Sequence, residues 1–179
     1  VPGQSRLTRR RGDGQPDLGV ALAEAHPGLQ VDDPPIAQGL QHRVIEGRAA
    51  GKVADAKGQT DVSQAIAAID WVVQNRNRNG MNIRVLNMSF GTDGVQDYLL
   101  DPLAYAAEQA WHKGIVVVVA VGNEGFGSGK VNNPAYDPYL IAVGGSDGLG
   151  TATTDDDIVP SWSSVGDGTR TVDVVAPGQ

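Results

Sequence analysis

The run Ile115–Val121, IVVVVAV, constrains this chain more than any other feature. Seven consecutive apolar residues, mostly β-branched, make a strand that is apolar on both sides of its pleat. Such a strand belongs at the centre of a parallel sheet covered on both faces. The run is far too short to cross a bilayer, as is every apolar run in the sequence. It follows the helical segment DPLAYAAEQAWHKG, in which Asp101 is placed to cap, Pro102 to occupy the first turn and Gly114 to terminate. It ends on Gly-Asn-Glu-Gly, Gly122–Gly125.

The same alternation holds from Lys52 onward. KVADA reads as a short strand and Gly58 as a turn. TDVSQAIAAIDWVVQNRNRNG reads as a helix capped by Asp61, with Gln64 in the reciprocal capping position, Ile66, Ile69 and Val73 on its apolar face and Gly80 as its stop. IRVLNMS is a buried strand, YLIAVGG a further short one, and SWSS and TVDVVAPG complete the pattern after an acidic loop. Strand, helix, strand, helix, strand predicts an α/β layered fold with right-handed crossovers. Residues 1–51 carry no such order. LGVALAEA predicts a brief helix over Leu18–Ala25 ended by Pro27, DDPPI is a breaker, and no strong strand is evident. The expected division is a poorly specified segment, 1–51, and a patterned domain, 52–179. The start has neither an initiating Met nor an apolar signal core, so a processed N-terminus or a piece of a longer protein is expected.

Composition removes several function classes. A net charge of −7 argues against a nucleic-acid partner. The absence of Cys rules out disulfides, thiol catalysis and thiolate metal sites. At 179 residues the chain is long enough for one domain with a sizeable core.

In open α/β sheets functional groups gather beyond the carboxyl ends of the strands. Two such ends stand out, Asn87–Gly91 (NMSFG) and Ala120–Gly125 (AVGNEG), and a helix joining their parallel strands would set them side by side. An asparagine amide there can donate to a developing oxyanion, and flanking glycines let a substrate backbone approach. The plainer alternative is that Asn123 merely tolerates a left-handed turn.

The order of segments decides between these. DVSQAIAAIDWVV, IRVLNMSFG, PLAYAAEQAWHKGIVVVVAVGNEG, NPAYDPYLIAVGGSD, SWSSVG and VDVVAPG together resemble the subtilisin-like serine peptidases over about residues 52–179. The resemblance implies a three-layer fold with a mostly parallel central sheet, here incomplete, and an endopeptidase working through a Ser/His/Asp triad and an oxyanion hole. It gives Asn123 the oxyanion role, Ser89, Phe90 and Gly91 the pairing with the substrate backbone, and Ala120 and Gly122 the pocket wall for the residue before the scissile bond. Asn133–Pro134 matches a turn proline that is sometimes cis, and Ala176–Gly178 matches the approach to the nucleophile. The resemblance further implies a peptide or protein substrate, no cofactor for the chemistry, a secreted or extracellular setting, and structural calcium without naming its ligands.

The triad motifs themselves are missing. No Asp-(Ser/Thr)-Gly, His-Gly-Thr-His or Gly-Thr-Ser-x-Ala segment occurs in these 179 residues. His26 and His42 lack the glycine and second histidine, and Asp13 and Asp17 lack the preceding strand. His112, in a helix's last turn, reads as a favourable terminal charge or a solvated group. The expectation is a chain inactive alone, either because its reading frame is wrong before about Lys52 or because it is a non-catalytic relative that binds peptides. Other motifs carry little. Arg9–Gly14 (RRRGDG) reads as a solvated run, and GNEGFGSGK fails the phosphate-loop pattern, so no nucleotide and no membrane partner is expected. Asn87–Ser89 is a glycosylation acceptor only on paper, in a buried strand end, and Asp155–Asp157 reads as solvated rather than calcium-binding.

Overall fold

The computed structural model describes residues 6–7, 19–23, 41–45, 48–53, 60–78, 81–92, 96–128 and 131–178. Of the residues singled out above, Asp13, Asp17, His26, Arg9–Gly14, Gly58, Gly80 and Lys130 lie outside these.

Helix α1, Val62–Asn75, begins where Asp61 accepts a hydrogen bond from the Ser63 backbone N–H at 2.8 Å. Gln64 makes no reciprocal bond among the described residues, and its side chain faces solvent. The buried stripe runs through Ala65, Ala68, Ile69 and Val72, so Ile69 is central as expected while Ile66 and Val73 flank it half-buried. The helix stops at Asn75, five residues short of Gly80, where the Asn75 amide bonds back to Trp71 O (2.8 Å) and Ile83 N turns back onto Arg76 O (2.7 Å). Helix α2, Pro102–His112, follows its sequence signals closely. Asp101 caps it, Pro102 opens it, and Gly114 ends it at φ +81°, a left-handed conformation that costs glycine nothing.

Among the described residues there are nine strands: β1 (Arg6–Leu7), β2 (Gly19–Ala23), β3 (Gln41–Ile45), β4 (Arg48–Lys52), β5 (Thr60–Asp61), β6 (Val85–Met88), β7 (Val116–Ala120), β8 (Ile141–Ser146) and β9 (Val174–Pro177). β1 and β5 form a two-residue antiparallel pair. The others form one seven-stranded sheet, ordered β3-β4-β2-β6-β7-β8-β9. β6, β7, β8 and β9 run parallel, with Met88 opposite Val119, Ala120 opposite Val143 and Gly145 opposite Ala176. The fold is α/β with a parallel core sheet, as the alternation requires. The N-terminal part departs from expectation. Gly19–Ala23 is a strand rather than a helix, antiparallel to both β4 and β6, with Leu22 opposite Leu86. Pairing along the free edge of β6 overrides the helical preference of a Leu/Ala-rich segment.

One face of the parallel sheet carries the core. Leu86, Met88, Val117, Val119 and Ala142 are fully buried against Ala65, Ile69 and Val72 of α1 and Leu103, Ala107 and Ala110 of α2. Burying each of the larger of these side chains contributes about 1.5–3 kcal/mol. On the opposite face Val85, Val118 and Val143 are half-buried, and Val116 and Val174 are 40% and 50% exposed. The strand expected to be covered on both faces is therefore covered on one among the described residues. The Asn133–Pro134 bond is cis.

Candidate active site

Because β6 and β7 are parallel neighbours in register, Ser89–Gly91 and Val121–Gly125 leave the sheet at the same end and side by side. Both departures are held by distant segments. Val121 donates to Val143 O at 3.0 Å and accepts from Asn132 N at 3.1 Å. Gly122 O accepts from Ser164 N (3.2 Å), the Glu124 backbone N–H donates to Ser164 Oγ (3.1 Å), and Gly125 N donates to Trp162 O (3.0 Å). Gly122 and Gly125 adopt φ values of +106° and +76°. A Cβ at Gly125 would stand 2.6 Å from Ser161 O, and one at Gly122 would stand 2.8 Å from Asn132 Nδ2, so neither site has room for a side chain. The turn is clamped, and Asn123 sits at its exposed apex. Its side-chain amide makes no hydrogen bond among the described residues, so its N–H donors are left to solvent or to a ligand.

Across the gap, Ser89 is exposed and its hydroxyl accepts from Asn87 Nδ2 at 3.3 Å. Phe90 turns inward, 9% exposed, and joins the core. Gly91 is half-buried, and a Cβ there would meet Asn133 O at 2.6 Å. The next residue, Thr92, donates its N–H to Asn133 O at 2.8 Å. Ala120 and Gly122 are half-buried at the end of β7. The structure thus brings Ser89, Phe90, Gly91, Ala120, Gly122 and Asn123 to one end of the sheet.

Three residues of this site escaped the sequence reading. The Asn132 side chain lies against both Gly91 and Gly122, where it floors the space between the two strand ends. Ser164 and Trp162 clamp the turn from about forty residues away, and the Trp162 ring packs over Gly145 and Gly178. SWSSVG marks this segment in the sequence, but no local pattern reveals its contact with Gly122–Gly125.

The two histidines among the described residues lie elsewhere. His112 ends α2 beside the start of β7, at the opposite end of the sheet from Asn123. There it approaches Glu108 Oε1 at 3.0 Å and sets its ring edge-on to Tyr139, 5.2 Å between centroids. His42 lies on β3, three strands from β6. In the acidic loop Asp156 Oδ1 accepts from the Thr151 and Thr153 hydroxyls, and no three acidic or histidine side chains converge among the described residues. A carboxylate shifted by burial lies outside the groove. Asp137 is fully buried, and burial pushes its carboxyl above the ordinary aspartate range against the opposing bond from Tyr139 N.

Several known proteins are similar to this chain. The sequence profile of the Subtilase family matches residues 35–179. The chain belongs to that family. The serine protease AprX of Bacillus subtilis (strain 168) is 38% identical over 133 residues, 71% of this chain and 30% of that protein. The minor extracellular protease Epr of the same organism is 33% identical over 127 residues, 71% of this chain and 16% of Epr. Among solved structures, the S41 psychrophilic protease superposes with a TM-score of 0.58 at 25% identity, covering 72% of this chain and 42% of its own. This subtilase chain therefore spans about a third or less of these two sequence relatives and under half of the solved structure. Its parallel sheet and two helices are the part of the family fold that these matches share.

Proposed function

We propose that this chain supplies the oxyanion and substrate-backbone side of a subtilisin-like serine endopeptidase site, and that alone it does not hydrolyse peptides. The observation that carries the reading is Asn123: an exposed amide without a partner among the described residues, carried on a turn whose backbone is fixed at Gly122, Glu124 and Gly125. A donor mounted on a fixed backbone is what a developing oxyanion requires. In this reading Ser89, Phe90 and Gly91 offer backbone to an extended peptide, an edge-addition mode of recognition. Ala120 and Gly122 flank the side chain before the scissile bond. The substrate is a peptide or protein. A nucleophile and base are still needed to generate the oxyanion; none of the three triad motifs occurs in these 179 residues, and no histidine lies beside Asn123 among the described residues. The name of the extracellular relative Epr supports a secreted setting.

The test has two steps. Purified 179-residue protein is assayed on a fluorogenic protein substrate, and inhibitor-sensitive turnover would overturn the claim of inactivity. The coding sequence is then read through both ends in all frames. If the three triad motifs appear, the longer protein is expressed, and Asn123→Ala is expected to lower kcat by about 10²–10³. If no frame contains them, the groove binds peptides without cutting, and peptide affinity becomes the activity to measure.

A further inference from the structure

Asp101 caps α2 with one carboxylate oxygen, and its other oxygen does something a cap does not need. Oδ1 accepts from Leu103 N and Ala104 N, both at 2.9 Å. Oδ2 accepts from Gln96 Nε2 at 3.0 Å and from the Thr92 hydroxyl at 3.3 Å. A ring of bonds closes from there: Gln96 O accepts from Asn133 Nδ2 at 3.0 Å, and Asn133 O accepts from Thr92 N at 2.8 Å. Asp101, Thr92 and Asn133 are 1%, 2% and 4% exposed, so water competes little for these bonds. Thr92 is the residue that follows Gly91.

We propose that Asp101 is a positioning residue for the peptide substrate: one carboxylate ties the start of α2 to Thr92 and so fixes the depth of the Ser89–Gly91 edge in the groove. The proposal rests on the peptide-groove reading above. A carboxylate suits the task because it is acceptor-only, with about four lone-pair sites for four donors. An amide in its place has one acceptor oxygen and, with that oxygen on the helix end, turns a donor toward Thr92 and Gln96, so both have to reorient. The position matters because edge pairing aligns several backbone groups at once, and a displacement of about 1 Å can cost on the order of 10²-fold in a reaction that depends on that alignment.

Thr92→Val separates this role from capping, since it removes the hydroxyl and leaves Oδ1 untouched. The full chain, ¹⁵N-labelled, is titrated with a blocked six-residue peptide of Ala and Ser while the amide signals of Ser89 and Gly91 are followed. Thr92→Val is expected to weaken binding about tenfold, the loss of about 1.4 kcal/mol, and to speed hydrogen exchange at the Thr92 amide, with helix content unchanged. Thr92→Ser restores both, and Asp101→Asn reproduces the binding loss. If valine at this position prevents folding, Gln96→Met breaks the other bond to the same oxygen and carries the same expectation. Wild-type affinity in Thr92→Val, with or without faster exchange, overturns the proposal and leaves the groove reading standing. A wild-type chain whose Ser89 and Gly91 signals do not respond to peptide overturns the groove reading, and the proposal with it.

Discussion

Arg170 ties its own segment of this subtilase chain to the stretch Ala135–Leu140, thirty or more residues earlier, and its loss has a size that the geometry fixes. Its guanidinium donates to Ala135 O (3.3 Å), Leu140 O (2.9 Å) and Thr171 O (3.1 Å), and forks onto Asp173 with two bonds of 2.7 Å. The arginine side chain is 12% exposed and the aspartate 40%. Bonds from a charged donor are worth about 1.5–3 kcal/mol each. The two to Ala135 and Leu140 end on buried residues; water entering the vacated space recovers part, so the lower end applies and they sum to about 3 kcal/mol. The half-exposed ion pair adds at most about 1 kcal/mol, because solvent screens it. Arg170→Ala should therefore cost about 3–4 kcal/mol, a large share of the 5–15 kcal/mol by which domains are stable. Asp173→Asn isolates the ionic part and should cost no more than about 1 kcal/mol. Arg170→Lys should fall between, since a single ammonium cannot reach acceptors spread around a planar fork. The assay is urea unfolding followed by tryptophan fluorescence, with the denaturant slope checked for a constant unfolded state. An Arg170→Ala midpoint within about 1 kcal/mol of wild type at unchanged slope would refute the reasoning. The acid limb is a second check. The Arg170 bonds hold the Asp173 carboxyl below its ordinary range, so its contribution is present at neutral pH and lost as pH falls through that depressed value. Arg170→Ala should remove this part of the acid sensitivity.

Two further outcomes are expected. Asp137 is fully buried with Oδ2 unbonded among the described residues, and burial raises its carboxyl. The folded state therefore holds its proton to higher pH than the unfolded chain does, and stability falls as pH rises from the ordinary aspartate range through the raised value. Asp137→Asn, which keeps an acceptor for Tyr139 N, should flatten that decline and stabilise the chain at neutral pH, read as the melting midpoint across a pH series. At the turn, Gly125→Ala should cost about 1–3 kcal/mol because φ is +76° and Ser161 O blocks the Cβ, while Asn123→Ala, exposed and unbonded, should stay within about 0.5 kcal/mol of wild type. Equal midpoints for these two variants would show that the turn is not clamped.

What the sequence determined by itself is local. The caps at Asp61 and Asp101, the glycine stop at Gly114 and the unbroken apolar run of β7 fix two helices and the central strand, because capping and apolar periodicity act within a few residues. Six segments in order, those around Ser89–Gly91 and Gly122–Asn123 among them, also sufficed to name the family. The tertiary structure decided what depends on distant partners. Gly19–Ala23 became a strand because β6 offered an unpaired edge, which no property of those five residues announces. Asn123 sits at the exposed apex of a turn that Ser164 and Trp162, about forty residues on, clamp on either side of it. The second oxygen of Asp101 reached Thr92, and Arg170 reached Ala135 and Leu140, only once the sheet had brought them together. Hydrogen-bond geometry is set over about 3 Å of space, and sequence spacing carries that information only within a single helix, strand or turn.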